Sequence, residues 1–283
     1  MKTDKIDGKI LMNGQKTERP ISLDAFYSMF LHRHKKDFYF SGEMHEPWEM
    51  VYVQSGNVGI TADDRIYHLG VGSIVFHKPM EFHQIWSESD DVRIFVTSFK
   101  LSGRLASNLF NKVFKLKPND IILIDTLLKE SKCLYSCETG RTYNQFSKWG
   151  EQPILVAQLV YRLELLLLNL LTYTDQKQMP ESSALYSKIV RILEANINRN
   201  ITIEQISKLC DVSPTSVKNC FNKYTGGGIH KYFLKLKIRN AIALLGEGFS
   251  VGNVSEQLGF NNSNYFTYVF RRETGKCPSD YKP

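Results

Sequence analysis

The C-terminal part of the chain contains the same helical pattern twice. The first copy spans residues 203–232 and the second spans 252–281. Apolar residues of the first copy recur 48 or 49 positions later, as Phe221 does at Phe270. Two copies are too few to bury the core of a solenoid. Each copy must therefore be a self-contained helical unit.

Each copy has the pattern of two short helices joined by a tight turn. In the first copy, apolar residues at helical spacing stop at Asp211, and Ser213-Pro214 then supplies an N-cap followed by proline at the first helical position. In the second copy, Gly259 suits the positive φ that a tight turn requires. Two helices joined in this way form the helix-turn-helix of DNA-binding proteins. The duplication therefore predicts two such units.

The charge of the chain is concentrated in the same region. Residues 184–283 contain 14 Lys and Arg against 7 Asp and Glu, whereas residues 1–183 contain 22 of each. The whole net charge of +7 thus lies on the C-terminal hundred residues. A local positive excess is what a surface that binds phosphates requires.

Residues 251–281 (VGNVSEQLGFNNSNYFTYVFRRETGKCPSDY) resemble the signature of the AraC/XylS transcriptional regulators. The segment 237–245 resembles that family's connecting helix, although Lys237 stands where the family usually has Arg. The resemblance covers about residues 185–283. It implies that a helix over 229–245 holds two recognition helices in successive major grooves of one duplex, about 34 Å apart.

The resemblance also implies which side chains contact DNA. Outward residues early in each recognition helix would read base edges, since Asn can bond adenine and Lys can bond guanine, and later basic residues would bind phosphates. The predicted base-reading residues are Thr215, Lys218 and Asn219 in the first unit and Ser263, Asn264 and Tyr268 in the second. The predicted phosphate-binding residues are Lys223, Arg271 and Arg272.

The N-terminal part of the chain has the pattern of an all-β domain. Short runs of β-branched and aromatic residues between 51 and 99 are separated by turn signals such as Ser55-Gly56-Asn57, which favours a sandwich or barrel. His45-x3-Glu49-x6-Gly56 and Gly72-x6-Pro79-x3-His83 resemble the paired motifs of the cupin-like sensor domain of AraC-type regulators. This resemblance covers about residues 20–100 and implies a jelly-roll barrel that binds an effector.

Aromatic faces with a few polar groups are typical of a small-ligand cavity. The candidate effector-binding residues are His45, Trp48, Glu49, His83 and Trp86. Metal-binding cupins place two histidines one residue apart in the first motif, and here position 47, beside His45, is Pro47. We therefore expect neither a metal nor another cofactor.

Residues 101–175 are predicted to be helical, with amphipathic spacing at 105–113 and 121–128 and a dense apolar face over 153–173. Charged residues interrupt that face, which disfavours a membrane span. A helix with so many apolar residues must be buried either against its own barrel or against a second copy of the chain. We favour a homodimer, with Leu163 and Leu167 in the interface. Residues 176–183 have the composition of a polar linker.

These features predict an α+β chain with four parts. They are a cupin-like effector-sensing β-barrel over 1–100, helices for dimerisation or support over 101–175, a linker over 176–183, and an all-α DNA-binding domain with two helix-turn-helix units over 184–283. The odd cysteine count and the absence of an apolar leader predict a cytoplasmic protein.

The predicted function is a sequence-specific transcriptional regulator, not an enzyme, controlled by a small molecule in the barrel. The resemblance implies double-stranded promoter or operator DNA, an effector (a carbohydrate or related metabolite at the family level), a second copy of the chain and RNA polymerase as partners. Two alternatives remain open. One is a metal cupin enzyme with a basic appendage, and the other is a regulator whose barrel only dimerises or meets a protein partner.

Overall fold

The computed structural model describes residues 5–6, 9–10, 17–134, 149–173 and 183–283. The predicted linker lies outside these residues except for Ser183, and so do Cys137 and part of the predicted helical segment. Near the N-terminus, β1 (Lys5–Ile6) and β2 (Lys9–Ile10) pair antiparallel with each other.

Two antiparallel sheets form the N-terminal domain. The larger has five strands in the order β10, β7, β4, β9, β3, and the smaller has three in the order β6, β5, β8. The strands are β3 (Ser22–Lys35), β4 (Trp48–Ser55), β5 (Val58–Ala62), β6 (Arg65–Leu69), β7 (Ser73–His77), β8 (His83–Ser87), β9 (Asp91–Ser102) and β10 (Phe114–Lys115). This two-sheet arrangement has the cupin-like character expected, but among the described residues only isolated bridges, such as Glu43 to His83, extend the smaller sheet, and the barrel is not closed.

The two faces of the larger sheet pack against different parts of the domain, because side chains alternate between the faces along each strand. Val51 and Val53 of β4 face the smaller sheet and pack in one apolar cluster with Ile60 of β5 and Ile94 of β9. Trp48, Met50 and Tyr52 project to the other face, because successive residues of a strand point to opposite sides. On that face they pack in a second cluster with the helices that follow the strands.

Those helices are α1 (Pro118–Ser131) and α2 (Pro153–Leu171). The predicted helical spacing at 105–113 is wrong, since this segment holds only a short 3₁₀ turn, Ala106–Asn108, before β10. Gly103 precedes the turn with a φ of +109°, and Asn111 follows it with a φ of +62°, so the backbone twice leaves the helical region. Phe114 then pairs with Ile74 of β7.

By length and composition alone, α2 could cross a membrane. In the fold, one face of α2 is buried in the cluster that α1 and the larger sheet complete, and this face includes Leu159, Leu163 and Leu167. The buried carboxylate of Glu164 accepts hydrogen bonds from the Arg19 side chain and from the backbone N–H of Leu23. The expectation that Leu163 and Leu167 lie in a dimer interface is therefore wrong, because both are fully buried within their own chain.

The C-terminal domain is helical throughout. Its helices are α3 (Ala184–Ala195), α4 (Ile203–Cys210), α5 (Pro214–Thr225), α6 (Ile229–Gly246), α7 (Val251–Gln257) and α8 (Ser263–Thr274). The pairs α4–α5 and α7–α8 are the two predicted helix-turn-helix units, and α6 is the predicted connecting helix. The first unit packs with α3 around Phe221, and the second packs against the end of α6 around Phe270.

Candidate nucleic-acid interface and barrel site

Local sequence fixes where each recognition helix begins. The Ser213 hydroxyl accepts a hydrogen bond from the N–H of Ser216 at the start of α5, and the Asn262 side chain accepts one from the N–H of Tyr265 at the start of α8. Side-chain oxygens at these N-cap positions satisfy N–H groups that have no partner inside the helix. Both recognition helices therefore start at a defined residue, which sets which side chains point outward.

The turn before each recognition helix uses a left-handed residue. In the second unit this is Gly259, with a φ of +64°, and an added Cβ there would lie 2.4 Å from the carbonyl oxygen of Asn198. Only glycine fits so close to another backbone. In the first unit the corresponding residue is Asp211, with a φ of +59°, and aspartate tolerates this conformation better than most residues. The prediction for Gly259 is confirmed.

The structure places all nine predicted DNA-contacting residues on the surface, on α5 and α8. The apolar faces of these helices, with Val217 and Phe221 in α5 and Phe266 and Phe270 in α8, are fully buried. The exposed residues are Thr215, Lys218, Asn219 and Lys223 on α5 and Ser263, Asn264, Tyr268, Arg271 and Arg272 on α8. Their roles in DNA binding remain a prediction.

A buried lysine joins the two helix-turn-helix units. The Lys237 ammonium, on α6, donates hydrogen bonds to the carbonyl oxygens of Leu258 at 2.6 Å and Arg199 at 3.2 Å. Leu258 directly follows α7, and Arg199 lies between α3 and α4, just before the first unit. Burial lowers the pKa of Lys237 to about 8. One side chain thus ties the connecting helix to both units.

The C-terminal domain rests on the outer face of the three-stranded sheet. Arg239 of α6 forms two hydrogen bonds to the carboxylate of Asp63, at 2.8 and 3.0 Å, in the turn between β5 and β6. In α3, the hydroxyls of Tyr186 and Ser187 donate to the carbonyl oxygens of Asp63 and Asp64 at 2.8 and 2.6 Å. Sequence motifs and periodicity mark Asp63 only as a turn residue and give no sign of its contact with Arg239.

A second group of contacts holds the C-terminal end of α5. The Thr61 hydroxyl of β5 donates to the carbonyl oxygen of Tyr224 at 2.7 Å, and the Tyr39 hydroxyl donates to that of Asn222 at 3.1 Å. These bonds fall on the last turn of α5, whereas Lys218 and Asn219 lie closer to its N-terminus and are exposed. The N-terminal domain therefore contacts α5 at its C-terminal end, away from the predicted base contacts.

Three of the five predicted effector-binding residues come together between the sheets. The Nε2 atoms of His45 and His83 each lie 3.5 Å from a carboxylate oxygen of Glu49. Glu49 also accepts a hydrogen bond from the Ser98 hydroxyl of β9 at 3.2 Å. His83 stacks on His77 with ring centroids 4.4 Å apart. This polar cluster continues the layer that Val51 and Ile94 fill with apolar side chains.

The two tryptophans do not join this cluster, and their assignment to the effector site is corrected. Trp48 precedes Glu49 on β4 and points to the opposite face, where its ring lies 6.3 Å from that of Phe110. Trp86 lies on the outer face of β8, and its ring is 6.3 Å from that of Tyr224 in α5. One tryptophan thus packs toward the helices of the N-terminal domain and the other toward the C-terminal domain.

The structure adds a residue that sequence reasoning missed. Glu43 pairs with His83 through two backbone hydrogen bonds, and its carboxylate lies 3.8 Å from Nε2 of His83 and 3.9 Å from Nε2 of His45. The second polar position of the motif is therefore two residues before His45, not two residues after it at Pro47. The spacing Glu43-x-His45-x3-Glu49 contains the signal that would have found it.

The charges of this cluster are strongly coupled. Burial alone would lower the pKa of His83, but the Glu49 and Glu43 carboxylates outweigh it and raise that pKa to about 9. Burial would likewise raise the pKa of Glu49, yet His83 and His45 hold it below its ordinary value. Burial, together with the neighbouring His83, holds the pKa of His77 well below its ordinary value. The two carboxylates therefore favour positive charge at the position that Nε2 of His83 faces.

Comparison with known proteins gives two family matches. The helix-turn-helix domain family matches residues 206–283, and the AraC-like ligand binding domain family matches residues 26–148. The first match covers both units of α4 to α8, and the second covers the two sheets and the polar cluster between them. The chain thus combines a ligand-binding domain and a DNA-binding domain of recognised kinds.

Several curated relatives carry the same name. The HTH-type transcriptional activator RhaR of Enterobacter sp. (strain 638) is 26% identical over 255 residues, which cover 86% of this chain and 87% of that protein. The RhaR of Escherichia coli (strain K12) is 30% identical over 129 residues, covering 45% of this chain and 46% of that protein. Among solved structures, ToxT from Vibrio cholerae O395 matches at 17% identity and a TM-score of 0.38, covering 90% of this chain and 96% of that one.

Proposed function

The chain belongs to the AraC family of transcriptional regulators, and we propose that it reads operator DNA through α5 and α8 as a homodimer in the cytoplasm. It is a DNA-binding regulator controlled by a ligand of its N-terminal domain, as both family matches indicate. The main observation in support of this proposal is that α5 and α8 share the same three features. Each has a side-chain N-cap, a fully buried aromatic face and an exposed polar and basic face.

Residues in different turns of α8 are placed for different kinds of DNA contact. Asn264 lies in the first turn, where a side chain can reach base edges, and an Asn amide can bond adenine with two hydrogen bonds. Arg271 and Arg272 lie in the last turn, where basic side chains hold phosphates and set the position of the helix. Tyr268 lies between them, 62% exposed, with the Arg272 guanidinium 5.9 Å from its ring centroid.

The test uses a duplex selected by the protein from a random library and scored base by base. We expect Asn264→Ala to cost about 1–3 kcal/mol of binding free energy and to relax the preference at one base step. Arg271→Ala should weaken binding about equally on every sequence and reduce its salt dependence. Asn253→Ala, an exposed asparagine on α7, is the matched control. If Asn264→Ala weakened binding equally on all duplex sequences, Asn264 would contact the DNA backbone and not a base.

Control by the ligand is supported by the position of the polar cluster beside the contacts between the domains. Phe82 precedes His83 in the chain, and its ring lies 4.9 Å from that of Tyr232 in α6. The N–H of Phe82 donates to the Asp63 carboxylate that Arg239 also binds. A small molecule at the cluster would act by its different affinity for two arrangements of these contacts. A carbohydrate stays the predicted class of effector.

A homodimer is supported by an exposed apolar face on α2. Ile154, Tyr161 and Leu165 are 76%, 64% and 48% exposed and lie on the side opposite the buried leucines. Large apolar side chains grouped on one helix face mark an interaction surface. We also propose RNA polymerase as a partner, since the curated relatives are named transcriptional activators.

A further inference from the structure

Four potential metal ligands converge at the polar end of the layer between the sheets. They are Glu43, His45, Glu49 and His83, and each offers one ligand atom within 4.8 Å of all the others. The ligands come from separate parts of the fold, since Glu43 and His45 precede β4, Glu49 lies on β4 and His83 begins β8. The sandwich therefore assembles the group.

Both imidazoles are oriented for coordination through Nε2. Nδ1 of His45 donates a hydrogen bond to the carbonyl oxygen of Pro47, and Nδ1 of His83 donates one to that of Glu81, each at 3.0 Å. A neutral histidine whose Nδ1 carries the proton has its lone pair on Nε2. Such a bond from the remote nitrogen to a backbone carbonyl is the usual support of a metal-binding histidine.

The Nε2 atom of His83 is buried, and among the residues that the structure describes it makes no hydrogen bond of normal geometry. His83 as a whole is only 5% exposed. A buried polar atom without a hydrogen bond is costly, so its presence calls for a partner. The atom is aimed at Glu43 and Glu49, at 3.8 and 3.5 Å, which is too far for a strong bond to either.

The spacing of the ligand atoms suits one small ion. The four nitrogen–oxygen separations between the histidines and the carboxylates are 3.5, 3.5, 3.8 and 3.9 Å. Ligands on a tetrahedron with bonds of about 2.0–2.1 Å lie about 3.3 Å apart. The nitrogen–oxygen separations would have to shorten by about 0.2–0.6 Å, and the widest separation among the four ligand atoms, which lie within 4.8 Å of one another, by more. With neutral histidines, the two carboxylates bring two negative charges that a divalent cation would neutralise.

We propose that this chain binds one divalent transition-metal ion through Nε2 of His45 and His83 and one carboxylate oxygen each of Glu43 and Glu49. Two imidazoles select a transition metal over Ca²⁺ or Mg²⁺, which prefer oxygen ligands. Glu43, with a side chain 44% exposed, lies at the open edge of the pocket and leaves a route for the ion. The proposal reverses the expectation of no metal, which depended on Pro47, and it does not rest on how the chain binds DNA.

Neighbouring residues also hold the proposed metal ligands in place through hydrogen bonds. The Ser98 hydroxyl donates to Oε2 of Glu49, which orients this carboxylate from the β9 side. Glu81, whose carbonyl holds His83, hydrogen-bonds through its own carboxylate to Nδ1 of His77 at 2.9 Å. Supporting contacts of this kind fix the ligands in place before the ion arrives.

The test uses the full chain, stripped with a chelator, dialysed and then titrated with Zn²⁺ by calorimetry. A parallel titration with Co²⁺ follows the visible absorption of the ion. We expect one ion per chain, a tetrahedral Co²⁺ spectrum and a higher melting temperature with Zn²⁺. Glu43→Ala and His45→Ala, at half-exposed positions that leave the core intact, should each weaken binding by more than about tenfold, because loss of a supporting contact alone costs roughly 10–100-fold.

The matched control is His68→Ala combined with Glu88→Ala. These residues form a histidine–glutamate pair on the smaller sheet with a nitrogen–oxygen distance of 2.6 Å, away from the proposed site. The control variant should bind Zn²⁺ as the wild type does. The proposal is overturned if the wild type shows no saturable binding, or if Glu43→Ala and His45→Ala bind the ion as tightly as the wild type does. In the second case the ion binds elsewhere, and the cluster is only a set of ion pairs.

Discussion

Lys237 shows how one buried charge can join two units of a domain. It is 1% exposed, and its ammonium nitrogen lies 4.9 and 5.4 Å from the ring centroids of Phe233 and Phe260. The ammonium donates to the carbonyl oxygens of Leu258 and Arg199. Burying the charge is unfavourable, which is why the pKa of Lys237 falls to about 8. The carbonyl bonds offset that cost, and they exist only when both units are in place.

We expect Lys237→Met to destabilise the C-terminal domain by about 1–3 kcal/mol. Methionine has a similar length, but it would leave the buried carbonyl of Leu258 and the partly buried carbonyl of Arg199 without their donor. Removing the charge recovers part of the burial cost, so the loss stays below that of breaking all the bonds. The measurement is the free energy of unfolding in urea. Lys231→Met, at an exposed position of α6, is the control, and equal stability of the two variants would contradict this role.

A second residue, His34, makes stability depend on pH. Burial, and then the neighbouring His32, lower the pKa of His34 to about 4 from 6.5. Between these values the unfolded chain binds a proton that the folded chain does not, so acidification across the window favours unfolding. We expect His34→Gln to lose less stability than the wild type when the pH falls from about 6.5 to 4.

The measurement is the melting temperature as a function of pH across that window. His230→Gln, at an exposed position on α6, should leave the profile unchanged. Identical acid profiles for His34→Gln and the wild type would show that His34 does not take up a proton on unfolding.

The candidate barrel site could be predicted only in part. His45, Glu49 and His83 follow from the motif spacing, because short strands and turns bring motif residues to the same end of a two-sheet domain. Trp48 could not be assigned correctly without the register of β4, since a shift of one residue moves a side chain to the opposite face. Glu43 lies on a segment that pairs with β8 only by two isolated bridges, Tyr39 to Trp86 and Glu43 to His83, and such long-range pairing leaves no periodic signal.

Among the elements, α2 has two faces that differ in their surroundings. The buried face holds the N-terminal domain together through leucines that include Leu159 and Leu166. The other face presents Ile154, Tyr161 and Leu165 to solvent. Apolar spacing in the sequence predicts the helix but cannot say which stripe meets its own domain, because almost every position is apolar.

We expect Tyr161→Lys combined with Leu165→Lys to give a folded monomer. Two lysines would place unpaired charges in an apolar contact between two copies of α2, which is unfavourable. Sedimentation equilibrium measures the mass, and the melting temperature reports on the fold. Leu163→Lys serves as the contrasting variant, since it should unfold the domain instead. An unchanged dimer mass for the double variant would exclude this face as the interface.

The remaining elements differ in how much the sequence reveals. In both helix-turn-helix units, the N-caps, the apolar faces and the turn residues all indicate the same helix ends. The bounds of these helices can therefore be predicted closely from the sequence. The 14-residue strand β3 was missed because two register shifts, at Leu23/Ala25 and Phe26/Ser28, break its alternation. The strand β8 has a weak signal in the sequence, because a buried polar His83 and an outward Trp86 invert the usual pattern.

At the scale of the whole molecule, the contact between the domains links the segment beside the polar cluster to α6, the helix that connects the two helix-turn-helix units. Asp63 receives Arg239 from α6 and Phe82 from the segment beside the polar cluster, so one carboxylate touches both sides. Burial raises the pKa of Asp63, and Arg239 opposes this shift. The contact was not predictable, because its residues are ordinary polar side chains that belong to no motif. The concentration of positive charge after residue 184, by contrast, is plain in the sequence.

We propose that α5 and α8 of one chain occupy adjoining major grooves of the same duplex. Hydroxyl-radical footprinting at saturating protein on a selected operator tests it most directly. The variant Lys218→Ala with Asn219→Ala should lose protection over one groove, and Asn264→Ala with Tyr268→Ala should lose it over the next, about 10 base pairs away on the same face. Loss of protection over the same groove by both variants, or a full wild-type footprint for either, would contradict the placement of α5 and α8 in adjoining grooves.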